Sequence, residues 1–201
     1  MLAAGAPAAE AAVPQGVRTL PDDIPLRWFG AARPPAADYA WRHIAGWRHG
    51  EPAHVPYVER PALLAALRAE IAASRPDVVH AFGWGTAGLW RYTEGVPVVH
   101  VAVDAWHRNA GNRLVPGWRR LSDVGQRRLV RAHERRHYPR DAAVVVVADR
   151  DADALRALAP TARLEVVPNG VDAGGEPAVL PTAPVLGFHG SFDARHNIDA
   201  A

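Results

Sequence analysis

Residues 77–104 read DVVHAFGWGTAGLWRYTEGVPVVHVAVD, and this stretch decides the fold class. Asp77 to Phe82 is a short apolar run with two adjacent valines, the pattern of a buried strand. Residues 83–88 hold three glycines and predict a tight turn, and Leu89 to Thr93 predicts a short helix. Val96 to Val103 is a second run, dense in β-branched residues, that ends at Asp104. A strand, a crossover and another strand make a βαβ unit, whose strands run parallel.

Working outward, the same alternation continues. Ahead of the stretch, Pro61 suits a first helical position, and Leu63, Leu64, Leu67 and Ile71 recur at helical spacing up to Ser74. Arg75 and Pro76 break that helix. Beyond the stretch, a helix is predicted from about Trp118 to His137, stopped by Pro139, then a strand over residues 143–148. Asp149 is expected to cap a helix through Leu158. Residues 164–167 form a fourth strand. A Pro/Gly-rich linker covers residues 168–183, and residues 185–189 begin a fresh strand. Residues 1–56 carry only short apolar runs such as 24–29. The class is therefore α/β: a Rossmann-like, mostly parallel sheet with helices on both faces, plus the start of a second domain. Such sheets bind ligands at the carboxyl ends of their strands.

Composition narrows the function classes. Apolar residues at 49% and charged residues at 22% are ordinary for a folded domain, which excludes wholesale disorder. No apolar run reaches the roughly 18 residues of a membrane span. The N-terminus lacks a basic start, and the chain has no cysteine, so a cytoplasmic location is expected. All 23 basic residues are arginine. Nine of them fall in residues 113–140 against only Asp123 and Glu134. That segment reads as a solvated helix face or as a face for anionic lipid at the inner side of a membrane. Nucleic acid is not expected, because no aromatic residues are interleaved as a stacking platform.

Two motifs invite other chemistry. Gly83-Trp84-Gly85-Thr86-Ala87-Gly88, with Asp104 21 residues after Gly83, spells a dinucleotide fingerprint. It supports an alternative reading as an NAD(P)- or flavin-dependent oxidoreductase using Gly83, Gly85, Gly88 and Asp104. Against it, the helix available before Gly95 is short, and the fingerprint normally marks a first βα unit. His133-Glu134-Arg135-Arg136-His137 spells H-E-x-x-H on a helix, where two histidines share a face and can hold zinc. Both intervening residues are arginine, and no third ligand follows, so no metal is expected. A third alternative is a non-catalytic interaction module.

Val166-Val167-Pro168-Asn169-Gly170-Val171-Asp172 follows a strand, and Gly187-Phe188-His189-Gly190-Ser191-Phe192-Asp193 follows the linker. This order resembles the family-4 retaining glycosyltransferases of the GT-B fold, from about Arg60 to the end of the chain. Arg75-Pro76-Asp77-Val78-Val79-His80, Val96-Pro97-Val98-Val99 and Glu134 ahead of residues 142–149 agree with it. Val103 stands where many members carry a histidine before the aspartate. Ser191 and His196 stand where many carry an arginine and then a lysine.

The resemblance implies transfer of a sugar, with retention, from a nucleotide diphosphate sugar to a carbohydrate or lipid-linked acceptor, without a further cofactor. Residues 1–167 would be the acceptor-side domain, 168–183 the interdomain linker and 184–201 the first strand and turn of the nucleotide-sugar domain. His80, Gly83, Trp84, Asp104 and His107 would line the acceptor-side cleft. Asn169, Gly170 and Asp172 would form the hinge, and Gly190, Ser191 and Arg195 would face the diphosphate. Family members begin with a strand, a Gly-rich turn and a helix. None is found ahead of Leu2, and residues 2–4 read as the end of a second strand, so a gap or raw sheet edge is expected. The glutamates expected beside the nucleotide sugar are not among the 201 residues, so this chain by itself is expected to be inactive.

Overall fold

The structure is a computed structural model, and it describes residues 2–5, 27–30, 44, 46–53, 55–109 and 118–170. The fresh strand over residues 185–189 lies outside the described residues. Among those described, the strands are β1 (Leu2–Gly5), β2 (Arg27–Gly30), β3 (Val79–Phe82), β4 (Val98–Val103), β5 (Ala143–Val146) and β6 (Leu164–Val166). The helices are α1 (Val55–Val58), α2 (Pro61–Ser74), α3 (Trp106–Asn109), α4 (Trp118–His137) and α5 (Asp149–Leu158). All of them belong to the unit Met1–Asn169.

β3, β4, β5 and β6 form one sheet in that order, every neighbour parallel, as the alternation predicts. β1 and β2 pair with each other, also in parallel, in a sheet of their own. Parallel neighbours need crossovers. From β4 to β5 the crossover is α3 and α4, and from β5 to β6 it is α5.

Between β3 and β4 no α-helix forms. The chain makes two 3-10 turns instead, Trp84–Thr86 and Leu89–Tyr92. The hydroxyl of Thr86 donates to the carbonyl of Gly83 (2.6 Å), and that of Thr93 to the carbonyl of Val96 (2.8 Å). These side-chain bonds compete with helix propagation.

α2 runs over the predicted residues, with Pro61 at its start and Arg75 in the left-handed region (φ 46°) at its end. The capping of α5 differs from expectation. Asp149 lies in the first turn with Asp151, the cap position is Ala148, and no side chain bonds there. The two carboxylates act on the positive end of the helix dipole instead. Ala102, Val144, Val146, Ala152, Leu155 and Tyr138 form the main core, with Leu164 and Val166 packed against it.

On α4 the buried positions recur at 130, 133, 134 and 137, the spacing of one helix face. Three of these four are His133, Glu134 and His137. Arg127, Arg128, Arg131 and Arg135 are exposed. Buried polar groups need partners, and those partners fix much of what surrounds α4. No helix among the described residues is long and apolar enough to cross a membrane.

Candidate functional site

The carboxyl end of β4 is where backbone geometry departs most from regular structure. Val103 has φ +69°, and the Asp104 N–H donates to the Ala102 carbonyl at 2.9 Å. A bond spanning two residues around a positive φ is the rare, strained form of γ-turn. A β-branched residue there is a genuine outlier, at a cost of about 1–3 kcal/mol. The pairing with β5 shifts register across the same point, and the Val147 N–H holds the Val103 carbonyl at 3.0 Å. This turn swings Asp104 out of the strand line and begins α3.

α3 is short and is held from outside. The Glu134 carboxylate accepts from the His107 backbone N–H at 3.3 Å and from the His107 ring Nδ1 at 2.7 Å. Burial pushes the Glu134 carboxyl up, and the hydrogen bonds and charge of His107 offset part of that rise. With Nδ1–H facing Glu134, the neutral tautomer of His107 keeps its lone pair on Nε2. The hydrogen bonds of His107 among the described residues all go to Glu134, through its backbone N–H and Nδ1 and not through Nε2.

The turn after β3 meets α3 from the other side. Trp84 stacks on Trp106 with ring centroids 4.1 Å apart, and Trp84 stays 37% exposed. Gly83 has φ +90°, which favours glycine, and its N–H donates to the Val101 carbonyl. Its own carbonyl lies 3.0 Å from Nε2 of buried His100. On the other ring nitrogen, His100 faces Asp141 at 3.4 Å. Burial pushes the Asp141 carboxyl up, and His100 offsets part of it. Sequence reading missed His100. The signal was there, because period-2 alternation puts it on the buried face of β4 with Val98 and Ala102.

The structure thus brings Gly83, Trp84 and His107 together beside the turn that carries Asp104. His80 is not with them. It lies inside β3, in register with Val99, five residues short of Asp104 or roughly 16 Å along a strand. The reason is that the strand starts at Val79 and Gly83 follows it at once. Asn169 and Gly170 are exposed beyond β6, at the carboxyl end. Asp172, Gly190, Ser191 and Arg195 lie outside the described residues.

The dinucleotide reading does not fit this geometry. Gly88 opens only the one-turn 3-10 helix Leu89–Tyr92, not an α-helix whose N-terminus would receive a pyrophosphate. Gly88 has another use: a Cβ there would come within 2.6 Å of the Arg91 and Glu59 side chains, which pair with each other.

His133 and His137 face a different partner. Glu51 brings one carboxylate oxygen to 2.5 Å from His133 Nδ1 and the other to 3.4 Å from His137 Nε2. Arg136 and Arg91 approach the same carboxylate at 3.3 Å and 3.7 Å. The turn that delivers Glu51 needs Gly46, because a Cβ there would lie 2.5 Å from the Glu51 carbonyl. Burial alone would raise the Glu51 carboxyl, but hydrogen bonds and charge from both histidines hold it well below the usual carboxylate range. So the third ligand that the motif lacks downstream arrives from upstream as a carboxylate, and the three ligand atoms lie within 4.8 Å of one another. The donor set does not suit a metal. Trp90 Nε1–H donates to His137 Nδ1 at 3.2 Å, which places the ring proton on Nε2, the atom that would have to bind. Two guanidinium groups already share the carboxylate.

A family model described as Glycosyltransferase Family 4 matches residues 9–174. No curated protein matches the chain.

Proposed function

The chain belongs to Glycosyltransferase Family 4, and from that membership we propose an enzyme half that presents the acceptor in sugar transfer from a nucleotide diphosphate sugar, with retention of configuration. Residues 1–167 are the acceptor-side domain, 168–183 the linker and 184–201 the start of the nucleotide-sugar domain. What supports this reading most is the strained turn at Val103. It sits at the carboxyl end of a parallel strand, where open α/β sheets bind ligands. It presents Asp104 and the oriented imidazole of His107 beside the Trp84–Trp106 stack. An exposed aromatic face next to polar groups suits a sugar ring.

The donor's diphosphate is assigned to Gly190, Ser191 and Arg195, and the hinge to Asn169, Gly170 and Asp172. No further cofactor takes part. The enzyme works in the cytoplasm. The exposed arginines of α4 offer a face for anionic lipid at the inner side of a membrane.

Transfer needs both substrates oriented against each other, which takes both walls of the cleft. Residues 1–201 by themselves therefore do not transfer sugar. Isothermal titration of this chain with nucleotide diphosphates should show nothing tighter than about millimolar, near 4 kcal/mol. The full protein, expressed and supplied with labelled nucleotide sugars, should transfer sugar with the anomeric configuration kept. Robust turnover by residues 1–201, or inversion by the full protein, would refute the reading.

A further inference from the structure

His100 is a polar residue where the sheet asks for an apolar one. It sits on the buried face of β4 between Val98 and Ala102 and is fully enclosed. Burying an imidazole is costly unless its nitrogens find partners. Nε2 lies 3.0 Å from the carbonyl oxygen of Gly83, the first residue after β3. A carbonyl only accepts, so Nε2 carries a proton.

Nδ1 faces the Asp141 carboxylate at 3.4 Å, and both side chains are closed to solvent. Among the described residues that carboxylate takes no hydrogen bond from elsewhere. A lone buried charge is costly, so the pair is neutral as a whole and holds two protons. These make either an imidazolium against a carboxylate or an imidazole against a carboxylic acid, and both keep the proton on Nε2. A neutral ring with its only proton on Nδ1 would set the Nε2 lone pair against the Gly83 carbonyl. Asp141 thus keeps His100 in the form that donates to Gly83.

The same Gly83 carbonyl accepts from the Thr86 N–H at 3.0 Å and from the Thr86 hydroxyl at 2.6 Å. Thr86 belongs to the turn and moves with it, so of the three donors His100 alone comes from the sheet. The Gly83 N–H, bonded to the Val101 carbonyl, fixes the peptide before this one. Glycine at φ 90° and ψ 145° reaches many other conformations as easily, so the donors hold the Gly83–Trp84 peptide plane. That plane leads into Trp84, whose ring stacks on Trp106. Packing alone does not call for a histidine, because a phenylalanine would also fill the place against Tyr138, which meets the ring edge-on at 5.1 Å.

We propose that His100, backed by Asp141, is a positioning residue for the acceptor: by holding the Gly83 carbonyl it sets the turn that presents the exposed face of Trp84 in the cleft. The acceptor part rests on the assignment of Trp84 to the acceptor-side cleft, and the hold on the turn does not.

Three variants of the 201-residue chain separate positioning from packing. His100→Phe keeps a ring against Tyr138 and removes the donor. His100→Gln restores a donor near the place of Nε2. His100→Phe combined with Asp141→Leu also removes the stranded carboxyl. Replacing both polar partners is the change a core tolerates best, so this chain carries the test if the single change does not fold. Ala159 and Val167, whose N–H groups donate to the Leu155 and Val146 carbonyls, are the reference amides. Relative to them, hydrogen exchange at Gly83 and Thr86 should speed up at least tenfold in both His100→Phe chains and stay within about threefold of the parent in His100→Gln. The second readout is the indole N–H signal of Trp84, assigned by its loss in Trp84→Phe and titrated with octyl glucoside below its micelle concentration. The parent signal should move, the His100→Phe chains should bind at least tenfold more weakly, and His100→Gln should recover to within about threefold. Equal acceleration of all four amides, unchanged rates at Gly83 and Thr86, or a His100→Gln chain as fast as His100→Phe would overturn the hold on the turn. Equal glycoside binding by the parent and the His100→Phe chains would overturn the acceptor part. A parent whose Trp84 signal ignores the glycoside would count against the acceptor reading of the cleft, while exchange still decides the role of His100.

Discussion

One turn and a half of α4 serves two regions that look alike by composition and differ in what they leave open. At Glu51 a carboxylate is closed on all sides by His133, His137, Arg136 and Arg91. At Glu134 a more deeply buried carboxylate holds one ring nitrogen of His107 and leaves the other out of the bond. The first arrangement commits the Glu51 carboxylate to joining the 46–53 segment to the helix. The second fixes the orientation of the His107 imidazole, through its Nδ1, at the end of β4. Adjacent residues of a single H-E-x-x-H motif therefore divide between holding the fold and building the site, and only the partners tell which is which.

The largest effect expected from breaking this contrast is at Glu51. Glu51→Ala leaves two buried imidazoles and two guanidinium groups around an empty position. Removing one partner of a buried ionic cluster costs about 3 kcal/mol or more. Urea unfolding followed by circular dichroism should show a loss of that size. A loss under about 1 kcal/mol would mean the closed region does not hold the fold.

Glu134→Gln should cost less, about 1–2 kcal/mol, because the amide oxygen can still accept one hydrogen bond. The sharper readout is the ring of His107. Nitrogen-15 correlation spectra of the parent should show the proton on Nδ1, and the variant should show a mixture of tautomers. An unchanged tautomer would show that Glu134 does not orient His107.

Acid should separate the two regions by sign. Burial holds His133 below its ordinary value of 6.5, so as pH falls the unfolded chain takes that proton first. The stability it contributes is present above pH 6.5 and is lost as pH drops towards the folded value. Glu134 is raised by burial, so the folded state takes the proton first and stability is regained as pH falls through that raised value. The urea midpoint of the parent should fall between pH 7 and 5.5, and His133→Gln should flatten that slope. A Glu134→Gln chain should lose the opposing contribution and fall more steeply than the parent at lower pH. Parallel profiles for all three proteins would show that neither group is coupled to folding.

Local pattern reached some of this and not the rest. The parallel sheet, α2 and α4 follow from apolar spacing and from Pro61, Pro76 and Pro139, all visible over windows of ten to twenty residues. The tight turn expected over residues 83–88 is there, whereas the short helix expected over Leu89 to Thr93 is a 3-10 turn, because the hydroxyl of Thr93 that competes with the backbone does not show in a hydrophobic pattern. The glycines of 83–88 matched a fingerprint, yet Gly88 answers to the Arg91–Glu59 pair. Glu51 could not be placed, since 82 residues separate it from His133 and nothing in its own segment marks it as a partner. The positive φ of Val103 was equally invisible. Strain of that kind is imposed by the register with β5, against the preference of the residue itself.

The smallest effect, none at all, is expected from zinc. Sequence spacing puts His133 and His137 on one helix face, and the fold adds Glu51 within reach, so the constellation has the composition of a metal site. Its protons argue otherwise. Zinc binds imidazole through an unprotonated nitrogen. Trp90 donates into Nδ1 of His137, which leaves Nε2, the atom facing Glu51, carrying the proton. Moving that proton to Nδ1 would set two N–H groups against each other in a buried position. A dication would also have to displace or sit beside Arg136 and Arg91, which already neutralise the carboxylate. Thermal unfolding with and without a tenfold excess of zinc should give the same midpoint, and elemental analysis of the purified chain should find no tightly held metal. A rise of several degrees that disappears in His137→Ala would show that Trp90 yields its hydrogen bond, and the closed region would then have to be read as a metal centre.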